Sequence, residues 1–334
     1  DDFVEQWADS VDCVIAVSDA VASHLRGRCP ELADRLVVIP NAVDEAWQRQ
    51  PIAAQVDGKT HIGFVCRLDE DKQFILDVFA GAVTDESLAY RDDIVWHIIG
   101  DGQERESLAA AISDAGVHTE VRWHGWLDAP QMLAAMASCD IIIAPGRSAL
   151  EAMALGRPTI AIGSKHYAGV VSESTWTDIA ATNFGGIGSR FDEYSHGQLT
   201  ADICALVADP SRRAALGAFG AQLVDEHFRD QVSQQKLLST LTDLVARGRE
   251  PLADVRVAYA EQRARALRLR EDAVLTYRRT TRTWQERTAK HEAQVERLNE
   301  AIARRDATLA AIKRNPLRFL VETLRRSAGG ADSR

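Results

Sequence analysis

One corner of the sequence combines residue types that suit a negatively charged ligand. In "IIIAPGRSALEAMALGRP" an apolar run ends at Pro145, and Gly146, Arg147 and Ser148 precede a helix-like segment. The glycine lets the backbone approach a ligand closely, and Ser148 suits the position that caps a helix. Exposed amides at a helix start, together with the helix dipole, attract anions. We therefore expect an anion site formed by the amides from Gly146 to Ala149.

A single carboxylate, Glu151, follows this corner in the first turn of the expected helix. A carboxylate at that position can accept hydrogen bonds from two hydroxyl groups of a ribose. The alternative is structural, because Ser148 as a cap and Glu151 near the positive end of the dipole would both stabilise a helix start. This stretch by itself leaves both interpretations open.

Two cations stand at another corner, in "FVCRLDEDKQ". Arg67 ends a predicted strand, and Lys72 lies near the start of the next predicted helix. Such a pair could bind a pyrophosphate and offset the charge that grows as a leaving group departs. The alternative is two exposed cations that pair with the neighbouring acids Asp69, Glu70 and Asp71.

Two more strand ends carry glycines. "IIGDGQERE" holds Gly100 and Gly102, which allow a tight turn and close backbone approach, although such a loop is often only a turn. "HGWLDAP" holds Gly125, Trp126 and Leu127, where a base could meet backbone amides and an apolar wall. The alternative for Trp126 is a place in the hydrophobic core.

An alternation of apolar strands and helical segments must position these residues, and it runs to about residue 225. The apolar runs are "VDCVIAVS", "RLVVIPNAVD", "THIGFVCRL", "DIVWHIIGDG", "VRWHGWL", "DIIIAPG" and "PTIAIGS". Continuous apolar strands separated by helices predict an α/β domain with a doubly wound, Rossmann-like parallel sheet covered on both faces. Such sheets bind ligands at the carboxyl ends of their strands. The four corners above are therefore expected at one edge.

Beyond Pro210 the pattern is helical only, and it ends in a long helical or coiled-coil tail. Apolar or tolerated residues recur in alternating steps of four and three over 277–312, which predicts a heptad seam. Several seam positions are polar, so we expect a homodimer or a hairpin against a partner, with a solvated helix as the alternative. In 313–326 a basic amphipathic segment could contact an anionic membrane or dock on the chain's own α/β domain.

Charge is unevenly placed along the 334 residues. The net charge is −10, but residues 251–334 hold 19 Lys and Arg against 11 Asp and Glu, or +8, which leaves −18 for the rest. The tail lacks aromatic interleaving or a nucleic-acid motif, so we expect no nucleic-acid partner. No stretch approaches the roughly 18 consecutive apolar residues of a membrane span. The five scattered cysteines predict reduced thiols and a cytoplasmic protein, at the inner face of the plasma membrane if the tail binds it.

Other reactive residues are interpreted as structural. His97, His124 and His166 are single histidines without paired-ligand spacing, so we expect no metal site. In "GSKHYAG" the residues Lys165, His166 and Gly169 follow a strand and could contact a ligand at the same edge. An exposed loop is the simpler interpretation.

Six motifs in order resemble the nucleotide-binding half of family 4 of the GT-B glycosyltransferases. They are "VIAVSDAV", "VVIPNAVD", "VCRLDEDK", "IIGDGQE", "RWHGWL" and "LEAMALGRP", and the last is the most specific. The resemblance covers about residues 11–230. It implies an enzyme that transfers a sugar from a UDP- or GDP-sugar to an acceptor hydroxyl, with retention and without a metal or another cofactor. Surface glycan or glycolipid synthesis, with a glycan or lipid-linked acceptor, is the expected setting.

The resemblance also implies roles for individual residues. Arg67 and Lys72 would bind the donor diphosphate, Glu151 would hold the donor ribose, and these three are the expected catalytic residues. The expected donor-binding residues are Gly100, Gly102, Gly125, Trp126, Leu127, Gly146, Arg147, Ser148 and Ala149.

The sequence departs from the family pattern in three ways. Two of these departures, the absent first glutamate and the missing acceptor domain, favour an alternative, a non-catalytic nucleotide-sugar-binding or scaffolding subunit. The loop "APGRSALE" is about six residues shorter than in the family, so the first of two family glutamates has no counterpart, and Arg147 and Ser148 would have to substitute. The linker glycine is replaced by Ala42. An acceptor domain is missing, so we expect the C-terminal piece of a longer enzyme or a truncated relative.

The expected organisation has five parts. They are the end of an N-terminal GT-B domain with its linker (1–50), the nucleotide-sugar-binding domain (51–228), a C-terminal helix (229–250), the long helix or coiled coil (251–314), and the basic amphipathic segment with a disordered end (315–334).

Overall fold

The computed structural model describes residues 11–47, 57–185 and 193–247, together with the short helical pieces 265–266, 268–269, 296–299, 303–305 and 310. The chain divides into two units, residues 1–249 and 250–334. Most of the expected heptad seam at 277–312 and all of the amphipathic segment at 313–326 lie outside the described residues. The association and membrane contact expected of them stay predictions.

A six-stranded sheet forms the centre of the first unit, with the strand order β5-β4-β3-β6-β7-β8. Its strands are β3 (Thr60–Val65), β4 (Ile94–Ile99), β5 (Glu120–Gly125), β6 (Ile141–Ala144), β7 (Thr159–Ile162) and β8 (Tyr167–Val170). The first five are parallel, as the apolar runs predicted. β8 pairs antiparallel with β7, so the expected loop around His166 is instead a hairpin that ends the sheet.

Ten α-helices, counted over the described part of the first unit, follow or flank these strands. They are α1 (Asp19–Arg28), α2 (Gln73–Val83), α3 (Glu86–Ala89), α4 (Arg105–Asp114), α5 (Ala129–Ala137), α6 (Gly146–Ala154), α7 (Trp176–Ala181), α8 (Gln198–Ala208), α9 (Pro210–His227) and α10 (Asp230–Arg247). α5 shows how local sequence starts a helix. The Asp128 side chain accepts from the Gln131 amide, and the Gln131 side chain accepts in return from the Asp128 amide.

Hydrophobic side chains cover both faces of the sheet, as expected for strands with continuous apolar runs. On one face Phe64 stacks on Phe79 of α2, with ring centroids 3.8 Å apart, and Phe79 meets Trp96 edge to face. On the other face the residues of α6, among them Leu150 and Met153, pack under β6 and β7. The doubly wound arrangement predicted from the sequence is therefore confirmed.

A smaller two-stranded sheet precedes this domain. β1 (Val14–Ala16) and β2 (Leu36–Val38) are parallel, and α1 connects them through a 3-10 helix at Pro30–Arg35. The chain then passes to the main domain, where Val43 forms a bridge with Arg229 beside α10. Over the described residues, no helix combines the length and apolar character needed to cross a membrane.

Candidate functional site

A pocket of about 190 Å³ opens at the carboxyl ends of β3, β4 and β5, beside the start of α6. Six of the twelve expected site residues line it: Arg67, Gly100, Gly125, Trp126, Leu127 and Ser148. Val65, Cys66, Ile99 and Met132 complete the lining. Parallel strands end at the same edge, so residues far apart in sequence meet there.

Arg67 and Lys72 meet at one carboxylate. The Asp71 Oδ2 atom lies 3.2 Å from Arg67 Nη2 and 2.8 Å from Lys72 Nζ. Arg67 also contacts Asp69, at 2.6 Å. The hydrogen bond from Lys72 is the main cause that lowers the pKa of Asp71. The alternative for this corner is confirmed, because both cations pair with neighbouring acids, and the binding of a pyrophosphate by the pair stays a prediction.

Lys72 is further held by a residue that the sequence analysis did not single out. Its Nζ atom donates to the Ser164 hydroxyl, 2.9 Å away and just beyond β7. The Lys72 side chain is 20% exposed, whereas that of Arg67 is 54% exposed. The loop after β7 therefore positions the ammonium group, while the guanidinium faces solvent at the pocket.

The two glycines of the loop after β4 are required by close packing. A Cβ atom at Gly100 would lie 1.9 Å from the carbonyl oxygen of Cys66, and one at Gly102 would lie 2.2 Å from that of Leu68. The loop is hydrogen-bonded there, since the Glu104 amide donates to the Leu68 carbonyl at 2.7 Å. These glycines join two loops at the edge of the site, and Gly100 also lines the pocket.

The end of β5 presents an aromatic surface to solvent. Gly125 takes the left-handed conformation, with φ of 66°, and its carbonyl accepts from the Gly100 amide at 3.0 Å. Trp126 is 73% exposed and lines the pocket, so the alternative that placed it in the core is wrong. Leu127 is partly buried against the second face of the sheet. An exposed tryptophan beside a polar loop can stack on a planar ring.

The start of α6 differs from the expected cap. The helix begins at Gly146 with Pro145 as N-cap, and Ser148 is the third helical residue, so its side chain does not cap the helix. Gly146 has φ of 54°, and its amide donates to the Phe184 carbonyl at 2.8 Å. This amide is therefore engaged within the protein. With Pro145 as N-cap, the Ala149 amide is the first to bond within the helix, so it is also engaged. The amides of Arg147 and Ser148 are those that the helix start leaves for a ligand.

Glu151 lies in the second turn of α6, not the first, and is only 7% exposed. Burial raises the pKa of its carboxyl, and the Arg147 guanidinium opposes that shift. The Arg147 Nε atom lies 3.0 Å from Glu151 Oε1. An exposed arginine thus neutralises and orients a buried carboxylate, whose oxygen atoms can accept hydrogen bonds from hydroxyl groups.

Three histidines form a row that the sequence analysis missed. His61 Nδ1 lies 2.8 Å from His97 Nε2, and His97 Nδ1 lies 2.9 Å from His124 Nε2, across β3, β4 and β5. His61 Nε2 is 3.2 Å from Asp57. The sequence analysis treated His97 and His124 as single histidines, but the structure shows that they contact each other. Spacing along the sequence does not show which residues of different strands come into contact.

The row suits neutral imidazoles. If ionised Asp57 accepts from His61 Nε2–H, then His61 Nδ1 accepts from His97 Nε2–H, and His97 Nδ1 accepts from His124 Nε2–H. Burial is the main cause that lowers the pKa of His97 to about 4, and any positive charge on His124, His61 or Arg122 lowers it further. Within the described ranges no cluster of His, Cys, Asp or Glu has the arrangement to hold a metal ion.

Four of the residues that sequence reasoning overlooked have a common position. Val65, Cys66, Ile99 and Ser164 each stand at or just after the end of a predicted strand, and the rule that places ligands at carboxyl ends could have identified them. Cys66 is not a nucleophile in this state, because burial raises the pKa of its thiol to about 12. The sequence left open whether His166 contacts a ligand. It lies in the turn between β7 and β8 and does not line the pocket.

Comparison with known proteins matches this region to one family. Residues 59–183 match the family model "Glycosyl transferases group 1". The chain is 28% identical over 196 residues to a 2-deoxystreptamine glucosyltransferase of Streptomyces kanamyceticus, covering 53% of this chain and 50% of that protein. It is 35% identical over 129 residues to a GDP-mannose-dependent alpha-mannosyltransferase of Mycolicibacterium smegmatis, covering 37% of this chain and 30% of that protein.

Solved structures agree on the fold. The Anabaena protein HepE, in complex with UDP and glucose, aligns with a TM-score of 0.54 at 20% identity, over 72% of this chain and 65% of that one. The match with the 2-deoxystreptamine glucosyltransferase spans about half the length of that protein. Residues 59–183 are therefore similar to group 1 glycosyl transferases, and the solved structure shows that the chain shares the fold of such an enzyme.

Proposed function

We propose that this chain is the donor-binding part of a glycosyltransferase that takes a sugar from a nucleotide-diphosphate sugar and passes it to an acceptor hydroxyl. The observation that carries the proposal is a pocket at the carboxyl edge of the sheet that is lined by Arg67 and by Ser148 of α6. Lys72 does not line this pocket but shares the Asp71 carboxylate with Arg67. Two cations and free helix amides match the charge of a diphosphate.

The other parts of the donor have suitable partners in the same place. Trp126 and the apolar residues Val65, Ile99 and Met132 offer a surface for the base, next to the backbone of Gly100 and Gly125. Glu151, paired with Arg147, is the proposed acceptor of the ribose hydroxyls. The names of two relatives, a glucosyltransferase and a GDP-mannose-dependent mannosyltransferase, support a hexose donor.

The proposed reaction proceeds with retention of configuration, without a metal, and with a UDP- or GDP-sugar. Arg67 and Lys72 would stabilise the charge on the departing diphosphate, which is the task that a metal ion performs in other transferases. Added EDTA should therefore leave donor binding and transfer unchanged. The anomeric configuration of the product, read by NMR, tests retention.

The proposed activity belongs to a protein that joins this chain to an acceptor-binding domain. We expect the 334 residues alone to bind nucleotide without transferring sugar. The proposed acceptor is a glycan or a lipid-linked glycan in surface glycan synthesis, at the cytoplasmic side of the membrane. The tail is the proposed means of homodimer formation (277–312) and of peripheral membrane contact (313–326).

Donor binding can be tested with a matched pair of double variants. Saturation with UDP or GDP at 100 times Kd should stabilise the chain by about 2.7 kcal/mol in thermal unfolding. Arg67→Ala with Lys72→Ala should remove this shift. Lys59→Ala with Arg91→Ala removes two cations at the opposite end of the strands and should preserve it. An equal ligand shift in both double variants would exclude the proposed site.

A non-catalytic nucleotide-sugar-binding subunit is the second candidate. The short loop "APGRSALE" favours it, because the first of the two glutamates in the family that this sequence resembles has no counterpart here. Assays of the full-length protein distinguish the two. Nucleotide binding with neither sugar transfer nor donor hydrolysis, over a panel of nucleotide sugars, would favour the subunit.

A further inference from the structure

The turn after α7 contains an unusual backbone. Asn183 and Phe184 have φ of 56° and 50°, and they are the non-glycine residues with positive φ in the described part of the chain. Asparagine tolerates this conformation, but a phenylalanine there costs on the order of 1–2 kcal/mol. Strain of this kind persists only where the surroundings impose it, and it is often found at functional sites.

Packing and hydrogen bonds hold the turn on the protein side. The Phe184 ring is 1% exposed and lies 5.5 Å from the Phe228 ring, edge to face. The Phe184 amide donates to the Ile179 carbonyl at 3.0 Å. The Thr182 hydroxyl donates to the same carbonyl at 2.8 Å. These contacts anchor the turn but do not involve two of its polar groups, the Phe184 carbonyl and the Asn183 side chain.

Those two groups connect distant parts of the chain. The Phe184 carbonyl accepts from the Gly146 amide at 2.8 Å, which ties the turn to the first residue of α6. The Asn183 Oδ1 atom accepts from Asn41 Nδ2 at 3.1 Å, across 142 positions of sequence. Gly146 itself has φ of 54°, so left-handed residues meet on both sides of the contact.

We infer that the pair Asn41–Asn183 positions the first turn of α6, and with it the amides of Arg147 and Ser148 that would face the donor phosphate. The inference deepens the proposed function and rests on it. The Asn41 side chain holds Asn183, the strained turn directs the Phe184 carbonyl, and that carbonyl fixes Gly146. Asn41 and Asn183 are thus positioning residues that act through the α6 backbone without touching the ligand.

Four variants test this chain of contacts. Asn183→Gly keeps the left-handed backbone accessible but removes the side-chain acceptor, and Asn41→Ala removes the donor. Asn183→Asp keeps an acceptor oxygen and serves as the conservative control. The double variant Asn41→Ala with Asn183→Gly measures coupling. One lost hydrogen bond corresponds to about a five-fold change in an equilibrium constant.

Two readouts separate positioning from general stability. In the free protein, amide hydrogen exchange at Gly146 should accelerate about five-fold in Asn183→Gly and Asn41→Ala, should not accelerate further in the double variant, and should be restored in Asn183→Asp. In titrations, the Kd for UDP or GDP should rise by the same factor while the Kd for the corresponding nucleoside stays constant.

The outcomes are distinguishable from failure of the proposed function. Unchanged exchange at Gly146 in both single variants overturns the positioning role, and so does a parallel loss of nucleoside and nucleoside diphosphate affinity. If the wild-type chain binds no nucleoside diphosphate while exchange at Gly146 responds as expected, the structural coupling stands and the assigned phosphate site is wrong.

Discussion

The carboxylate of Asp71 lies 2.8 Å from the ammonium group of Lys72, in the place where an anionic ligand would bind that group. The same oxygen contacts Arg67 at 3.2 Å. In the absence of ligand the protein therefore supplies its own anion to both cations. The diphosphate that we propose to bind here would compete with this carboxylate.

This competition predicts that Asp71→Asn tightens binding. Removing the negative charge frees both cations, and exposed ion pairs of this kind correspond to about a two- to five-fold change in Kd. Isothermal titration with UDP, GDP and pyrophosphate measures the change. Asp77→Asn, which alters an exposed acid bonded to Gln73, is the control and should leave Kd as it is. Weaker binding by Asp71→Asn would show that Asp71 assists the ligand instead.

Trp126→Ala should weaken binding of nucleoside and nucleoside diphosphate to the same extent. The side chain is 73% exposed, so its loss should hardly change the free energy of unfolding. Stacking of one base on an aromatic side chain is worth about 1–3 kcal/mol, which corresponds to at least a five-fold rise in Kd. Tyr90→Ala, at another exposed aromatic residue, is the control. Unchanged nucleoside affinity would exclude Trp126 from the base site.

Gly100→Ala should destabilise the domain by about 2–4 kcal/mol, because the new methyl group would collide with the Cys66 carbonyl at 1.9 Å and the backbone has φ of 142°. Gly116→Ala is the matched control. Gly116 also has positive φ, of 65°, but no atom lies within 4 Å of the added carbon, so about 1 kcal/mol is expected. Urea unfolding compares the two, and equal losses would argue against the close approach of the loops.

Stability should fall as the pH is lowered from about 6.5 to 4, through His97. The pKa of His97 drops from 6.5 in the unfolded chain to about 4 in the fold. In that window the unfolded state binds more protons, so the free energy of unfolding rises with pH and is lost on acidification. A loss on the order of 2 kcal/mol is expected. His97→Gln should flatten the slope, whereas His118→Gln, at an exposed histidine, should not.

Deleting residues 313–326 should abolish flotation of the full-length protein with anionic liposomes. Five basic residues surround the apolar face of this segment, and each adds about 1 kcal/mol near an anionic surface. Binding should weaken with salt and be absent with neutral lipid. Equal flotation of the deletion variant would exclude the segment as the membrane contact.

Sequence alone predicted much of the framework of the site. The apolar runs identified β3, β4, β5, β6 and β7 because strands buried on both faces must be continuously apolar. Since parallel strands end at one edge, the runs also predicted that Arg67, Gly100, Trp126 and Ser148 would meet, and one pocket contains all four. The helical region after Pro210 followed from its period in the same way.

Local pattern was a poor guide where a residue's role depends on a neighbour far along the chain. Ser148 has the chemistry of a cap, but the helix begins at Gly146 because Phe184 accepts the Gly146 amide. Tryptophan is a common core residue, but Trp126 is 73% exposed among the described residues. The antiparallel strand β8 is short and half-buried, so its residues lack the apolar run that marks a central strand.

The contacts that complete the site were decided by tertiary structure. Lys72 meets Ser164 across 92 positions, His61 meets His97 across 36, and Asn41 meets Asn183 across 142. A single sequence records which side chains are available and the periods that form strands and helices. It carries no record of which distant groups become neighbours, because strand order and loop paths are settled by the packing of the whole domain. The residue types therefore indicated the strands, helices and loops of the site. Only the tertiary structure showed the contacts of Lys72 with Ser164 and of Asn41 with Asn183.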